Sequence, residues 1–311
     1  MIVNNKMKSL GIDIGGTNIK YGVIDTNNKL VFSKFIDAEI KSGKDSVIEK
    51  LKSIICNCKR NYDISYVGVG IAGLVDKNRG IVLSSPNLPD WNNVHLKNKL
   101  EELGLPVILD NDANCFILGE YIAGAGQGYK DILGITIGTG IGGGIIVHGK
   151  LYNGKNNYAG EFGHTKVVPN GRLCNCGQKG CIEAYASGFA VTKIAQEKYG
   201  AHNLKCKRMT PKILYELAQN GDKIAQKIYK QAFYYLGISM SNLINIFNPE
   251  AIIFGGGMSK MGDFMLKQVE KIAMEHSFKP SAKNVEFKLA KLGDNAGIVG
   301  AGNLHYQAVA L

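Results

Sequence analysis

The segment 161–183 carries a pattern that constrains the fold more than any other part of the chain. It reads Glu161-Phe-Gly-His164, then Cys174-Asn-Cys176-Gly-Gln-Lys-Gly-Cys181-Ile-Glu183. Three thiols and one imidazole make the Cys3His set that closes a tetrahedral zinc shell and leaves no open position to activate water. A metal held by His164, Cys174, Cys176 and Cys181 is therefore expected to be structural. Glycines 177 and 180 let a short loop fold back until the three sulfurs converge. Glu161 and Glu183 stand immediately outside the ligand run, so the metal would fix two carboxylates nearby. The plain alternative is three reduced cysteines and an ordinary histidine, but unrelated cysteines rarely show ligand spacing.

A chain of 311 residues suggests two domains with substantial cores. Its 45% hydrophobic and 20% charged content is that of a globular protein. No apolar run approaches the ~18 residues of a membrane span, and the first residues lack a signal-peptide core. The expectation is a cytoplasmic protein with no membrane partner, and seven cysteines with three in a metal pattern agree with a reducing compartment. A net charge of +11 raises the question of nucleic acid. Yet only Arg60, Arg79, Arg172 and Arg208 are arginines among 37 basic residues, and no basic helix stands out. A base reader leans on arginine, so no nucleic-acid partner is expected; the charge reads instead as a lysine-rich solvated surface able to steer anionic substrates.

Periodicity predicts an alternation of strands and helices. Strands are read at 9–14, 19–25, 30–35, 66–71 and 106–109, with helices at 45–58, 96–103 and 113–123. The glycine-rich run 124–128 is a plausible domain boundary. Strands at 132–137 and 144–147 then repeat the strand, glycine turn, strand plan of the N-terminus, which suggests two related halves. Helices follow at 189–199, 211–219, 223–247, 264–275 and 296–307, with strands at 251–254 and 285–290. The class is α/β with two lobes: 1–123, and a larger 124–296 carrying the metal loop.

Three glycine turns carry a phosphate argument. In Asp13-Ile-Gly15-Gly16-Thr17, backbone N–H groups freed by the glycines can point at a phosphate. Asp13 can hold magnesium through water, and Thr17 and Lys20 can add polar contacts. Gly138-Thr139-Gly140-Ile-Gly142-Gly143-Gly144 repeats the arrangement, and Gly255-Gly256-Gly257 gives a flat approach for adenine or ribose. Any one of these is also explained by a tight hairpin. Two runs match G-x-G-x-x-G, at 68–73 and 138–143, but neither leads into a helix, and no Walker sequence exists. Asn111-Asp112-Ala-Asn114 lies at a strand-to-helix junction, where Asp or Asn is a good N-cap. The functional reading makes Asp112 the base that takes a proton from a substrate hydroxyl attacking the γ-phosphate.

Taken together, these motifs resemble the ROK family of sugar kinases and repressors, within the sugar kinase/actin/Hsp70 fold. The resemblance runs from about Ser9 to Ala301, and the 174–187 stretch looks most like the glucokinase branch. The glucokinase likeness lies in the run Cys181-Ile-Glu-Ala-Tyr-Ala-Ser187 of that stretch. The resemblance implies a two-lobed actin-like ATPase, ribonuclease H-like fold with a structural zinc loop, the smaller lobe completed by the C-terminal helix from about 297. It implies Asp112 as catalytic base, with Asn111, Glu161, His164 and Glu183 on the sugar hydroxyls. His164 would serve both metal and sugar, one ring nitrogen each. Gly73 and Asn87 would add sugar contacts. The nucleotide would meet Gly11, Asp13, Gly15, Gly16, Thr17, Asn18 and Lys20, then Gly138, Thr139, Gly140, Gly142 and Gly143, then Gly255, Gly256 and Gly257. Many relatives have lysine at position 18; Lys20 is expected to supply that charge here. The implied reaction is ATP- and Mg2+-dependent phosphorylation of a hexose at its 6-hydroxyl, with glucose first and N-acetylmannosamine, N-acetylglucosamine, allose or fructose as alternatives. A homodimer is implied as well. A repressor is disfavoured, because too few residues precede the first strand for a DNA-binding domain and because the phosphate turns and Asp112 are both present.

Overall fold

The first strands form where the sequence places short apolar runs between glycine turns. β1 (Lys8–Ile14), β2 (Asn18–Ile24) and β3 (Leu30–Asp37) are antiparallel neighbours. β4 (Ile64–Ile71) and β7 (Val107–Asn111) extend the sheet in parallel, giving the order β3-β2-β1-β4-β7. The computed structural model from which this is taken describes residues 8–88, 90–200 and 209–308. The chain forms two compact units: 1–130 with 144–160 and 291–311, and 131–143 with 161–290.

In the first unit the parallel strands are buried on both faces and read as nearly continuous apolar runs. One face takes α1 (Lys44–Tyr62), whose Val47, Leu51, Ile54, Ile55 and Cys58 recur at helical spacing and are buried. The other takes the helix Ala296–Gly302, which lies so close that a Cβ at Gly11 or Gly68 would overlap the carbonyl oxygens of Ile298 or Ala301. These glycines are needed for that approach. β5 (Leu74–Asp76) and β6 (Ile81–Ser84) form a separate two-stranded ribbon, and α2 (Leu96–Glu101) leads to β7. α3 (Asp112–Ala123) starts directly where β7 ends.

The second sheet has the order β10-β9-β8-β11-β12, with β8 (Ile132–Ile137), β9 (Ile141–Val147), β10 (Lys150–Leu151), β11 (Ala251–Gly255) and β12 (Glu286–Leu289). Counted from its own first strand, this is the order of the first sheet again. The repeat expected from the two glycine turns is therefore a repeat of topology. Helices Pro211–Gln219, Lys223–Phe247 and Asp263–His276 belong to the second unit, together with α4 (Glu183–Ala186) and α5 (Gly188–Tyr199).

One helix differs from expectation. The segment read as a single helix over 296–307 ends at Gly302, and a short helix restarts at His305. Gly300 and Gly302 are weak helix formers, and the Asn303 side chain donates to the Val299 carbonyl at 2.9 Å, which offers the backbone a competing partner. Among the described residues no helix is long and apolar enough to cross a membrane.

Candidate active site

Sheet register gathers the carboxylates of the first unit. Asp13 stands directly opposite Lys20 in the β1–β2 ladder, so both side chains project from one face. It is also level with Gly70 of β4, which is level with Asp110 of β7. Asp112 follows two residues later, at the first position of α3. Gly70 makes this possible, since a Cβ there would come within 3.0 Å of the Cys115 sulfur on the first turns of α3. The Asp13 carboxyl is pushed up to about 7, first by burial and then by the charge of Asp112; Lys20 opposes the shift and Asp294 adds to it. Lys20 lies 3.7 Å from Asp294 and over the Phe35 ring at 5.7 Å from its centroid.

The helix cap falls to Asn111. Its Oδ1 accepts the Ala113 N–H at 2.8 Å, while its Nδ2 donates to the Gly73 carbonyl at 3.0 Å. Asp112 also accepts that N–H, at 3.0 Å, but it is the first helical residue and not the cap. Behind both stands Asp110, nearly inaccessible to water. Lys77 Nζ, the Asn111 N–H and Asn114 Nδ2 all donate to its carboxylate at 2.8 Å. Sequence reasoning missed this pair. Asp110 had a weak signal as a third polar residue ending an apolar strand, whereas Lys77, 33 positions away on the turn after β5, had none.

Around the first glycine turn, Gly15 N–H donates to the Asn18 carbonyl at 3.0 Å and Thr17 accepts from Ala38 N–H at 2.8 Å. The Gly15 N–H, read from sequence as aimed at a phosphate, closes the hairpin instead. Asn87 lies against Gly16, its side chain 3.1 Å from where a Cβ would stand.

The second unit holds the other turn and the thiol cluster. Gly138 N–H donates to the Gly140 carbonyl at 2.9 Å, and the start of α5 pins the turn, Gly188 N–H reaching the Gly138 carbonyl at 2.8 Å and Phe189 N–H the Thr139 carbonyl at 3.3 Å. Gly142 and Gly143 continue into β9. Glu183 reaches into the turn, where its Oε2 accepts the Ile141 N–H at 2.9 Å. Gly256 has φ +84° with the Ile137 backbone 2.6 Å from its would-be Cβ, so only glycine fits there; Gly257 next to it faces open space and Gly255 ends β11.

His164, Cys174, Cys176 and Cys181 place one donor atom each within 4.8 Å of all the others. His164 Nδ1 is 3.7 Å from the Cys174 sulfur, and the Cys176 and Cys181 sulfurs are 3.7 Å apart. Zn–S bonds of ~2.3 Å and Zn–N of ~2.1 Å in a tetrahedron set donors about 3.5–3.8 Å apart, so the set fits zinc in number, chemistry and spacing. Gly177 and Gly180 have φ near +80°, and Cys174 N–H donates to the Gln178 carbonyl at 2.8 Å. The other ring nitrogen of His164 faces Glu161 Oε2 at 3.9 Å. The Glu161 carboxyl is raised, chiefly by partial loss of water and further by Glu183, against the pull of His164.

The profile of the ROK family matches residues 9–308. The chain is 35% identical to a glucokinase of Thermotoga maritima over 96% of its own length and 97% of that protein. It superposes with a TM-score of 0.83 on a ROK family glucokinase of Streptomyces griseus solved with glucose and AMPPNP, at 35% identity, covering 96% and 98% of the two chains. It is also 30% identical to a xylose repressor of Caldicellulosiruptor bescii, covering 96% of this chain and 78% of that one.

Proposed function

The chain belongs to the ROK family, and from that premise we propose that it transfers the γ-phosphoryl group of ATP to the 6-hydroxyl of glucose. The observation that carries the reading is the register of β1, β4 and β7, which brings Asp13 and Asp112 within electrostatic reach of each other beside a glycine turn. A kinase needs one carboxylate for the metal-bound phosphates and a second for the hydroxyl. The identity to glucokinases over nearly the whole chain supports glucose as the substrate.

In this reading Asp112 accepts the proton of the 6-hydroxyl as that oxygen attacks. Asn111, which caps the helix and holds the Gly73 carbonyl, adds a sugar contact through its remaining hydrogen-bonding capacity, and Asn87 adds another. Glu161, His164 and Glu183 take the remaining hydroxyls. Asp13 supplies the hard oxygen donor that a magnesium ion of MgATP takes through water, and the ion neutralises charge on the phosphates. Lys20, on the same face as Asp13, supplies the positive charge that many relatives carry at position 18. The turns at 15–17 and 138–140 line the phosphates and glycines 255–257 the nucleoside, whereas Gly11 is taken up by helix packing and leaves the nucleotide set. His164 and the three cysteines would hold zinc, and its closed shell would fix the loop that carries Glu161 and Glu183 without offering a site for the reaction.

The cytoplasm, where ATP is available and thiols stay reduced, suits this chemistry. A homodimer is part of the proposal; Ile246 and Phe278, both about two-thirds exposed, are side chains that a partner would cover. The test is kcat/KM with MgATP for glucose, N-acetylmannosamine, N-acetylglucosamine, allose and fructose. An N-acetylated sugar winning by more than tenfold would overturn glucose but keep the kinase. No phosphorylation of any sugar would favour the sugar-sensing reading that the repressor likeness suggests.

A further inference from the structure

Lys166 has no part in the reaction proposed above, yet it touches two of the four metal-ligand residues. Its Nζ lies 3.1 Å from the Cys181 sulfur and 2.8 Å from the His164 carbonyl. The placement is fixed by backbone pairing. Lys166 and Cys181 face each other in an isolated antiparallel bridge, flanked by Ile182 N–H to the Thr165 carbonyl at 2.9 Å and Val167 N–H to the Gly180 carbonyl at 2.9 Å. Three thiolates and a neutral imidazole around a divalent zinc leave the centre with one net negative charge. An ammonium group on one thiolate cancels it and withdraws electron density from that sulfur, so the sulfur is less open to competing electrophiles.

We infer that Lys166 is a positioning residue of the metal centre, a cation that balances the thiolate shell and slows escape of the ion. The inference rests on the zinc reading of the cluster. It is specific to this chain's own geometry, because a lysine one residue earlier or later would project from the opposite side of the bridge.

The test measures zinc transfer from the purified full-length protein to 4-(2-pyridylazo)resorcinol at fixed pH and low salt, for wild type, Lys166→Met, Lys166→Gln and Lys166→Arg. Second-sphere changes at metal sites typically alter affinity by about 10–100-fold, and the exposed setting favours the lower end. Expected is zinc loss about tenfold faster in Lys166→Met and Lys166→Gln, near-normal loss in Lys166→Arg, and a gap that narrows as salt rises to about 1 M. Equal rates in all four proteins, or equally fast loss from the Met and Arg variants, would overturn the inference. Cobalt uptake, read as the thiolate-to-metal absorption band, separates the two readings. Wild-type protein that binds neither zinc nor cobalt overturns the metal reading itself, and Lys166's role with it. Normal cobalt uptake with unaltered zinc loss sinks only Lys166.

Discussion

The two clusters of ionisable groups are assembled in opposite ways. Asp13, Asp110 and Asp112 stand at or just past the ends of paired strands, and the ladder sets their spacing before any ligand arrives. His164, Cys174, Cys176 and Cys181 sit on a segment whose only strand pairing is two isolated bridges. Hard oxygen donors are thus held by the sheet, and soft sulfur donors by a loop with little strand pairing of its own. A carboxylate cluster of this kind survives loss of its ligand, whereas the thiol loop, in the proposed zinc reading, depends on its ion.

Asp112→Asn tests the sheet-held side most severely. Turnover should fall at least ~10³-fold while glucose still binds, because the base is removed and the Asn111 cap remains. Turnover near wild type would show that the strand-end carboxylates are structural. Next is Lys77→Met, which leaves the buried Asp110 carboxylate without its cation. Denaturant unfolding should register a loss of about 3 kcal/mol, and adding Asp110→Asn should recover part of it. No loss would mean the pair does not set the end of β7. On the metal-held side, Cys176→Ser should abolish zinc by elemental analysis and weaken glucose binding about 10–100-fold. Hydrogen exchange in β1, β4 and β7 should stay unchanged; faster exchange there would erase the contrast between the clusters.

The last test is a pH dependence. With its carboxyl raised from 3.8 to about 7, folded Asp13 binds a proton that the unfolded chain has already released. Stability of the ligand-free protein should therefore fall as pH rises between roughly 4 and 7 and level off above. Melting temperatures at pH 5 and pH 8 should differ less in Asp13→Asn than in wild type. An identical difference in both proteins would show that Asp13 ionises normally.

The alternation of elements was legible because the strands are apolar runs with glycine punctuation and the long helices are amphipathic. The convergence of His164 with the three cysteines was legible because their pattern is local in sequence. Less local features were hidden. Asp110 and Lys77 meet across a ribbon that has too few residues for a periodic signal. Which of Asn111 and Asp112 caps α3 depends on one backbone angle, not on residue type, since both accept the same N–H. Lys166 is one of many lysines until the bridge to Cys181 singles it out. The break near Asn303 was hidden for the same reason, as helical spacing continues straight through it.

Glu183 ties the glycine turn to the thiol loop: one oxygen holds the Ile141 N–H and the other lies 3.5 Å from the Cys174 sulfur. A side chain at Gly140 would collide with the first of these oxygens. Positions 140 and 183 therefore cannot drift separately. A laboratory or natural lineage that changes the turn must also displace the carboxylate that the proposed reading gives to the sugar. Retuning the acceptor through Glu183 likewise leaves a backbone amide of the turn to find a new partner. Selecting for altered donor use and altered acceptor use in the same library, with 140 and 183 varied jointly, is the route this coupling leaves open.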